Sequence, residues 1–159
     1  MRWLLLIVLF SATLPGKAQT PATGIPDFTF YNMKDQAFSR KDLRRGKPSF
    51  FIFFDTRCEH CQRTCKRLNT LYPKTRGAWV YMLSLDKKEN IQDFFKTFAP
   101  NLPRQNNFMI LQDRLFHFIP RFGPSKYPSM FLYGINQRLI KYSDDEASLD
   151  TMLSLLPPK

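Results

Sequence analysis

Residues 49–54 read Ser-Phe-Phe-Ile-Phe-Phe, and an unbroken apolar run of strand length predicts a central β-strand covered on both faces. From residue 59 the pattern changes period. Cys61, Cys65, Leu68 and Tyr72 recur at the spacing of one buried helical stripe, which stops at Pro73. A second apolar run at 79–85 predicts the next strand, ending at Asp86. Ile91, Phe94, Phe95 and Phe98 then fall at i, i+3, i+4 and i+7 of a helix over 88–98, closed by Ala99-Pro100 and Pro103. Weaker signals follow: a strand at 108–111, a short helix at 114–122 disturbed by Pro120, and a strand at 129–133. Gly134, Ile135, Asn136 and Gln137 form a hairpin turn into a partner strand at 138–142, and an amphipathic helix spans 145–156. Ahead of all these, 28–31 reads as a short edge strand that turns through 32–36 into 37–39, where Ser39 is placed to cap a helical turn through Asp42 and Leu43. The order predicts an α/β fold: a central mixed β-sheet flanked by helices, with an N-terminal β-hairpin.

The first residues change the picture of where this domain works. A cationic start, the apolar stretch from Trp3 to Phe10, a break at Pro15-Gly16 and small residues before Gln19 have the layout of a cleaved signal peptide over residues 1–18. The alternative is an uncleaved membrane anchor, for which the stretch is short. Residues 19–159 then form one domain, exported and most simply periplasmic. Sixteen Phe residues make its core aromatic without naming a function. The net charge of +11 is spread along the chain, and Arg40, Lys41, Arg44, Arg45 and Lys47 read as a solvated loop face rather than a nucleic-acid patch.

The chemistry sits between the apolar strand and the first helix, at Cys58-Glu59-His60-Cys61. A C-x-x-C opening a helix is a dithiol redox motif, because the unpaired N–H groups and positive dipole end favour a thiolate there. Structural zinc would need a second ligand pair at similar spacing, and the chain offers only Cys65, His60 and His117. Arg57 and a cationic His60 would support the Cys58 thiolate, and Glu59 would oppose them. Nothing in the sequence asks for a cofactor.

Ile25-Pro26-Asp27-Phe28, Gly46-Lys47-Pro48, the strand ending in C-x-x-C, and Tyr127-Pro128-Ser129 before a second apolar strand stand in the order seen in exported thioredoxin-like proteins. On these motifs nearly the whole chain after residue 18 resembles the TlpA/ResA type of the redoxin superfamily. The resemblance implies a thioredoxin fold with an N-terminal hairpin extension and a thiol-disulfide oxidoreductase. It makes Cys58 the nucleophile, Cys61 the resolving thiol and Pro128 a cis-proline beside them, with Tyr127 preceding it. It implies protein thiols and disulfides as substrates, and a redox partner protein, membrane-bound in one version, that recharges the site. The chain departs from the family where Ile52 and Thr64 stand at positions that often carry a buried acid, and where Lys66 replaces a helix proline.

Two other activities share this fold. A peroxiredoxin would want Pro and Thr or Ser ahead of its reactive Cys, where Phe51 and Asp55 stand. A Sco-type copper chaperone would use Cys61 and Cys65 with a distant His, for which His117, read as a surface residue of its short helix, is the candidate. Cys65 itself reads as a small buried residue on the core face of the helix.

Overall fold

The computed structural model describes residues 20–158, so the proposed signal segment lies outside the described residues. Seven strands form one sheet: β1 (Thr29–Asn32), β2 (Ala37–Ser39), β3 (Ser49–Phe53), β4 (Trp79–Ser84), β5 (Phe108–Gln112), β6 (Ser129–Tyr133) and β7 (Leu139–Ser143), in the spatial order β2-β1-β5-β4-β3-β6-β7. The three central strands β5, β4 and β3 are parallel, and β1, β2, β6 and β7 join antiparallel on the two sides. The sheet is therefore mixed, as the element order predicts. The first hairpin departs from expectation in one respect. β1 is not an edge strand; it pairs with β5 through Tyr31 and Asn32, and β2 takes the edge. Which strand ends a sheet is decided by this long-range pairing, not by the local pattern.

Side chains alternate across a strand, and β3 shows why its continuous hydrophobicity is needed. Phe50, Ile52 and Phe54 join one core with Cys61, Cys65 and Leu68 of α1 (Glu59–Leu71), with Ile91, Phe94 and Phe95 of α2 (Lys88–Phe98), and with α4 (Leu149–Ser154). Phe51 and Phe53 face the other way, into an aromatic core with Phe28, Phe30, Tyr81, Phe131 and the rings of α3 (Phe118–Phe122). There Phe118 and Phe122 stack at 4.2 Å and Phe28 and Phe30 at 4.3 Å. Phe is thus divided between the two faces, with Phe50, Phe54, Phe94, Phe95 and Phe108 on the side of α1 and α2 and the larger ring cluster on the side of α3.

One helix, α1, keeps to the periodic expectation and two later ones depart from it. α1 ends at Leu71, ahead of Pro73 as its pattern predicts, and the chain continues as a separate 3-10 turn over Tyr72–Gly77, where proline is tolerated near the start. α3 begins at Phe118, four residues late, because Phe116 adopts φ +54° and breaks the helical path. The C-terminal helix is divided into a 3-10 turn at Glu146–Ser148 and a short α4. Among the described residues no helix is long and apolar enough to cross a membrane.

Candidate active site

The carboxyl ends of β3, β4 and β5 lie at one end of the sheet, and β6, antiparallel to β3, begins there: Phe53 is paired with both Leu83 and Ser129. This rim gathers the loop after β3, which carries Cys58, and the peptide before β6, which carries Pro128. Ligand chemistry in open α/β sheets collects at such ends. The loop is fixed before the motif starts. The Asp86 carboxylate accepts from Thr56 N–H (2.8 Å) and Ser84 Oγ–H (3.1 Å), the Asp55 carboxylate accepts from Arg57 N–H (2.7 Å), and Cys58 N–H donates to Asp55 O (3.3 Å).

Cys58 is the N-cap of α1, with extended backbone and its carbonyl accepting from Gln62 N–H at 3.0 Å. Its thiol is half-buried, whereas Cys61 and Cys65 have no exposure, and all three are free thiols. Cys58 and Cys61 lie within hydrogen-bonding reach of each other, and a backbone hydrogen bond from Asp55 also reaches Cys61. Burial pushes the Cys61 thiol far up from its ordinary value, and burial alone does the same to Cys65. Both are held as neutral thiols.

Opposite the dithiol, the Tyr127–Pro128 peptide is cis and Pro128 is buried. Cys58 Sγ lies 4.0 Å from Tyr127 O. The Tyr127 ring packs on Phe53 at 4.7 Å, and its phenol is pushed up to about 12, by burial first and then by the negative charges of Asp55 and Asp86. The structure therefore brings Cys58, Cys61, Tyr127 and Pro128 together.

The remaining motif residues point elsewhere. The Arg57 side chain is exposed. Glu59 is 83% exposed, 3.8 Å from Arg63 one turn on. His60 sits on the outer face of α1, with Nδ1 2.9 Å from Arg63 Nη2 and 3.3 Å from Glu146 Oε1. Arg63 donates to both oxygens of that carboxylate and holds it below the usual carboxylate range. Glu146, 83 residues from Arg63, and Asp86 are site neighbours that sequence reasoning missed. For Asp86 a signal existed in its place just after β4; for Glu146 there was none. Ile52 and Thr64 are both buried, and the Thr64 hydroxyl has no hydrogen-bond partner.

His117 is not a surface residue. It is half-buried at the start of α3, where Nδ1 accepts from Thr29 N–H at 3.1 Å. α3 packs in the aromatic core, on the opposite face of the sheet from Cys61 and Cys65. This leaves His117 badly placed to complete a copper site with those thiols, and among the described residues no group of three or more His, Cys, Asp or Glu is arranged to hold a metal.

The model of the AhpC/TSA family matches residues 21–141. The chain is similar to the thiol-disulfide oxidoreductase ResA of Geobacillus thermodenitrificans, with 27% identity over 153 residues, covering 89% of this chain and 84% of that one. Among solved structures it resembles a secreted Mycobacterium tuberculosis disulfide oxidoreductase homologous to Escherichia coli DsbE, with a TM-score of 0.66, 17% identity and coverage of 81% and 96%. It also resembles peroxidoxin BcpB of M. tuberculosis, with a TM-score of 0.67, 13% identity and coverage of 84% and 94%. At these identities the solved structures establish the thioredoxin-like fold that all of them share.

Proposed function

Because this chain belongs to the AhpC/TSA family, we propose that it is a thiol-disulfide oxidoreductase exchanging disulfides with protein partners through Cys58 and Cys61. The observation that carries the reading is the inequality of the two thiols. Cys58 is accessible at a helix N-terminus, and Cys61, within its reach, is sealed from solvent and held neutral.

In the reducing direction the Cys58 thiolate attacks one sulfur of a partner disulfide. The Cys58–partner bond forms, and the partner's other sulfur leaves as a thiolate and takes a proton from water. Cys61 then gives up its proton and attacks Cys58 Sγ, the Cys58–Cys61 bond forms, and the second partner sulfur leaves to be protonated in turn. Two electrons pass from the dithiol to the partner. The buried Cys61 waits as a thiol until the mixed disulfide forms beside it. An extended partner strand would pair with the backbone at Tyr127, whose carbonyl faces Cys58 and accepts, while Pro128 has no N–H to donate.

Residues 1–18 support export to an oxidising compartment, the periplasm, where a second redox protein, membrane-bound in this reading, returns the dithiol to its working state. Recovery of a mature chain starting at Gln19 from that compartment is the expected result; a cytoplasmic chain that keeps Met1 would contradict it. The exchange itself is tested by insulin reduction. Cys58→Ser abolishes turnover, and Cys61→Ser accumulates mixed disulfides. Retention of most activity by Cys58→Ser would overturn the assignment.

A further inference from the structure

On the same rim of the sheet as the dithiol, the loop after β5 presents two large apolar side chains to solvent: Leu115 is 49% exposed and Phe116 63%. Everything around them is tied down. Asp113 has no exposure; its carboxylate accepts from His117 N–H (3.0 Å) and Phe118 N–H (2.7 Å), and its own N–H donates to Ser84 O (2.9 Å). The His117 ring is fixed by Thr29, and the Arg114 guanidinium lies 4.7 Å over the Tyr31 ring while donating to Gln112 and Asp35.

Phe116 is held at φ +54°, the left-handed region that a bulky side chain disfavours and glycine adopts readily. Folding gains nothing from a residue that is both strained and wet. Strain kept at a rigid, exposed apolar site is a mark of use.

We infer that Leu115 and Phe116 form a docking surface for the protein partner, receiving apolar residues that flank its reacting cysteine. This rests on the thiol-exchange reading, and that reaction identifies the occupant: once Cys58 is joined to a partner sulfur, a polypeptide necessarily lies on this rim. The two places are connected. Tyr127, whose carbonyl faces Cys58, packs on Phe53, and Phe53 packs on Phe118 at 4.5 Å, two residues beyond Phe116. β3 and β5 are separated by β4 alone, so the strand ends from which the two loops leave are about 10 Å apart, and an extended chain needs roughly three residues or more to reach from one loop to the other. The surface therefore reads side chains a few positions from the partner's cysteine.

The test uses two synthetic peptides, each with one cysteine joined to glutathione by a disulfide, carrying Phe and Leu or Ser and Asn at the third and fourth positions from the cysteine. The dithiothreitol-reduced full-length protein is mixed with each, and with oxidised glutathione as a small disulfide. The wild type has a KM about tenfold lower for the apolar peptide. Phe116→Gly, whose backbone suits the left-handed conformation, abolishes that preference and leaves the rate with oxidised glutathione unchanged; Phe116→Tyr keeps the preference. Equal KM values in the wild type, a preference that survives Phe116→Gly, or an equal loss on oxidised glutathione would overturn the docking role alone. Failure of the wild type with all three disulfides would overturn the thiol-exchange reading and the docking role with it.

Discussion

Two thiols held neutral by burial make the stability of the reduced protein depend on pH in a way that single substitutions can dissect. Cys61 and Cys65 have no exposed surface, and both are pushed up from an ordinary value of 9.0. A raised folded-state value means that the fold holds the proton more tightly than the unfolded chain does. The stabilisation is then full below pH 9 and is lost as pH rises towards the folded-state value. Between pH 9 and pH 10 the unfolded chain gains free energy by ionising each thiol, and the fold gains almost none. With an unfolded value near 9 this amounts to about 1 kcal/mol per thiol, about 2 kcal/mol for the pair. The buried tyrosines, whose ordinary value is 10.0, add to the loss mainly above this window. Urea unfolding of the reduced protein at pH 8, 9 and 10 measures the drop. Cys65→Ala lowers stability at pH 8 by about 1 kcal/mol through the lost packing, and removes about half of the drop contributed by the two thiols between pH 9 and pH 10. A pH dependence that stays the same in Cys65→Ala, or one that runs the other way, would refute the reasoning.

Other substitutions probe the frame around the dithiol. Thr64→Val removes a buried hydroxyl without a partner and keeps the side-chain shape, so it should raise stability by about 1 kcal/mol with thiol exchange unchanged, as read by urea unfolding and insulin reduction. Asp113→Asn weakens the two hydrogen bonds that fix the loop before α3 and should cost about 2 kcal/mol; a loss below about 0.5 kcal/mol would mean that the carboxylate does not organise the loop. Because the Glu146 carboxyl is held low by Arg63, Glu146→Gln should remove a part of stability that is present above the ordinary carboxylate value and lost as pH falls through the lowered one. Thermal unfolding at pH 3 to 6 should therefore be less pH-dependent in that variant.

What the sequence makes legible is whatever local periodicity determines. The continuous run of β3 and the stripe of Cys61, Cys65 and Leu68 on α1 follow from patterns two and four residues long, and they place the C-x-x-C at a strand-to-helix junction before any contact is known. The fold and the dithiol come from that junction. The rest depends on pairings between distant residues. β1 is displaced from the edge by β5, about 80 residues further on, through a register that no local pattern encodes. The late start of α3 reflects a buried Asp113 and a left-handed Phe116, and an apolar sequence such as Leu115 to Phe118 gives no sign of either. His60 reads as the thiolate's neighbour by proximity in sequence, yet helical geometry turns it outward to Arg63 and Glu146. Its Glu146 partner belongs to the C-terminal turn and could be found only in three dimensions.

The central claim is that Cys58 and Cys61 act as one two-electron pair while Cys65 stays apart. It is tested most directly by equilibrating the protein in dithiothreitol buffers of graded potential, alkylating the free thiols and mapping the disulfide by peptide mass spectrometry. The account predicts a single two-electron transition with a slope of about 30 mV per tenfold change in ratio, a Cys58–Cys61 bond in the oxidised form, and Cys65 alkylated only after unfolding. A Cys61–Cys65 bond, or no intramolecular disulfide at any potential, would contradict it.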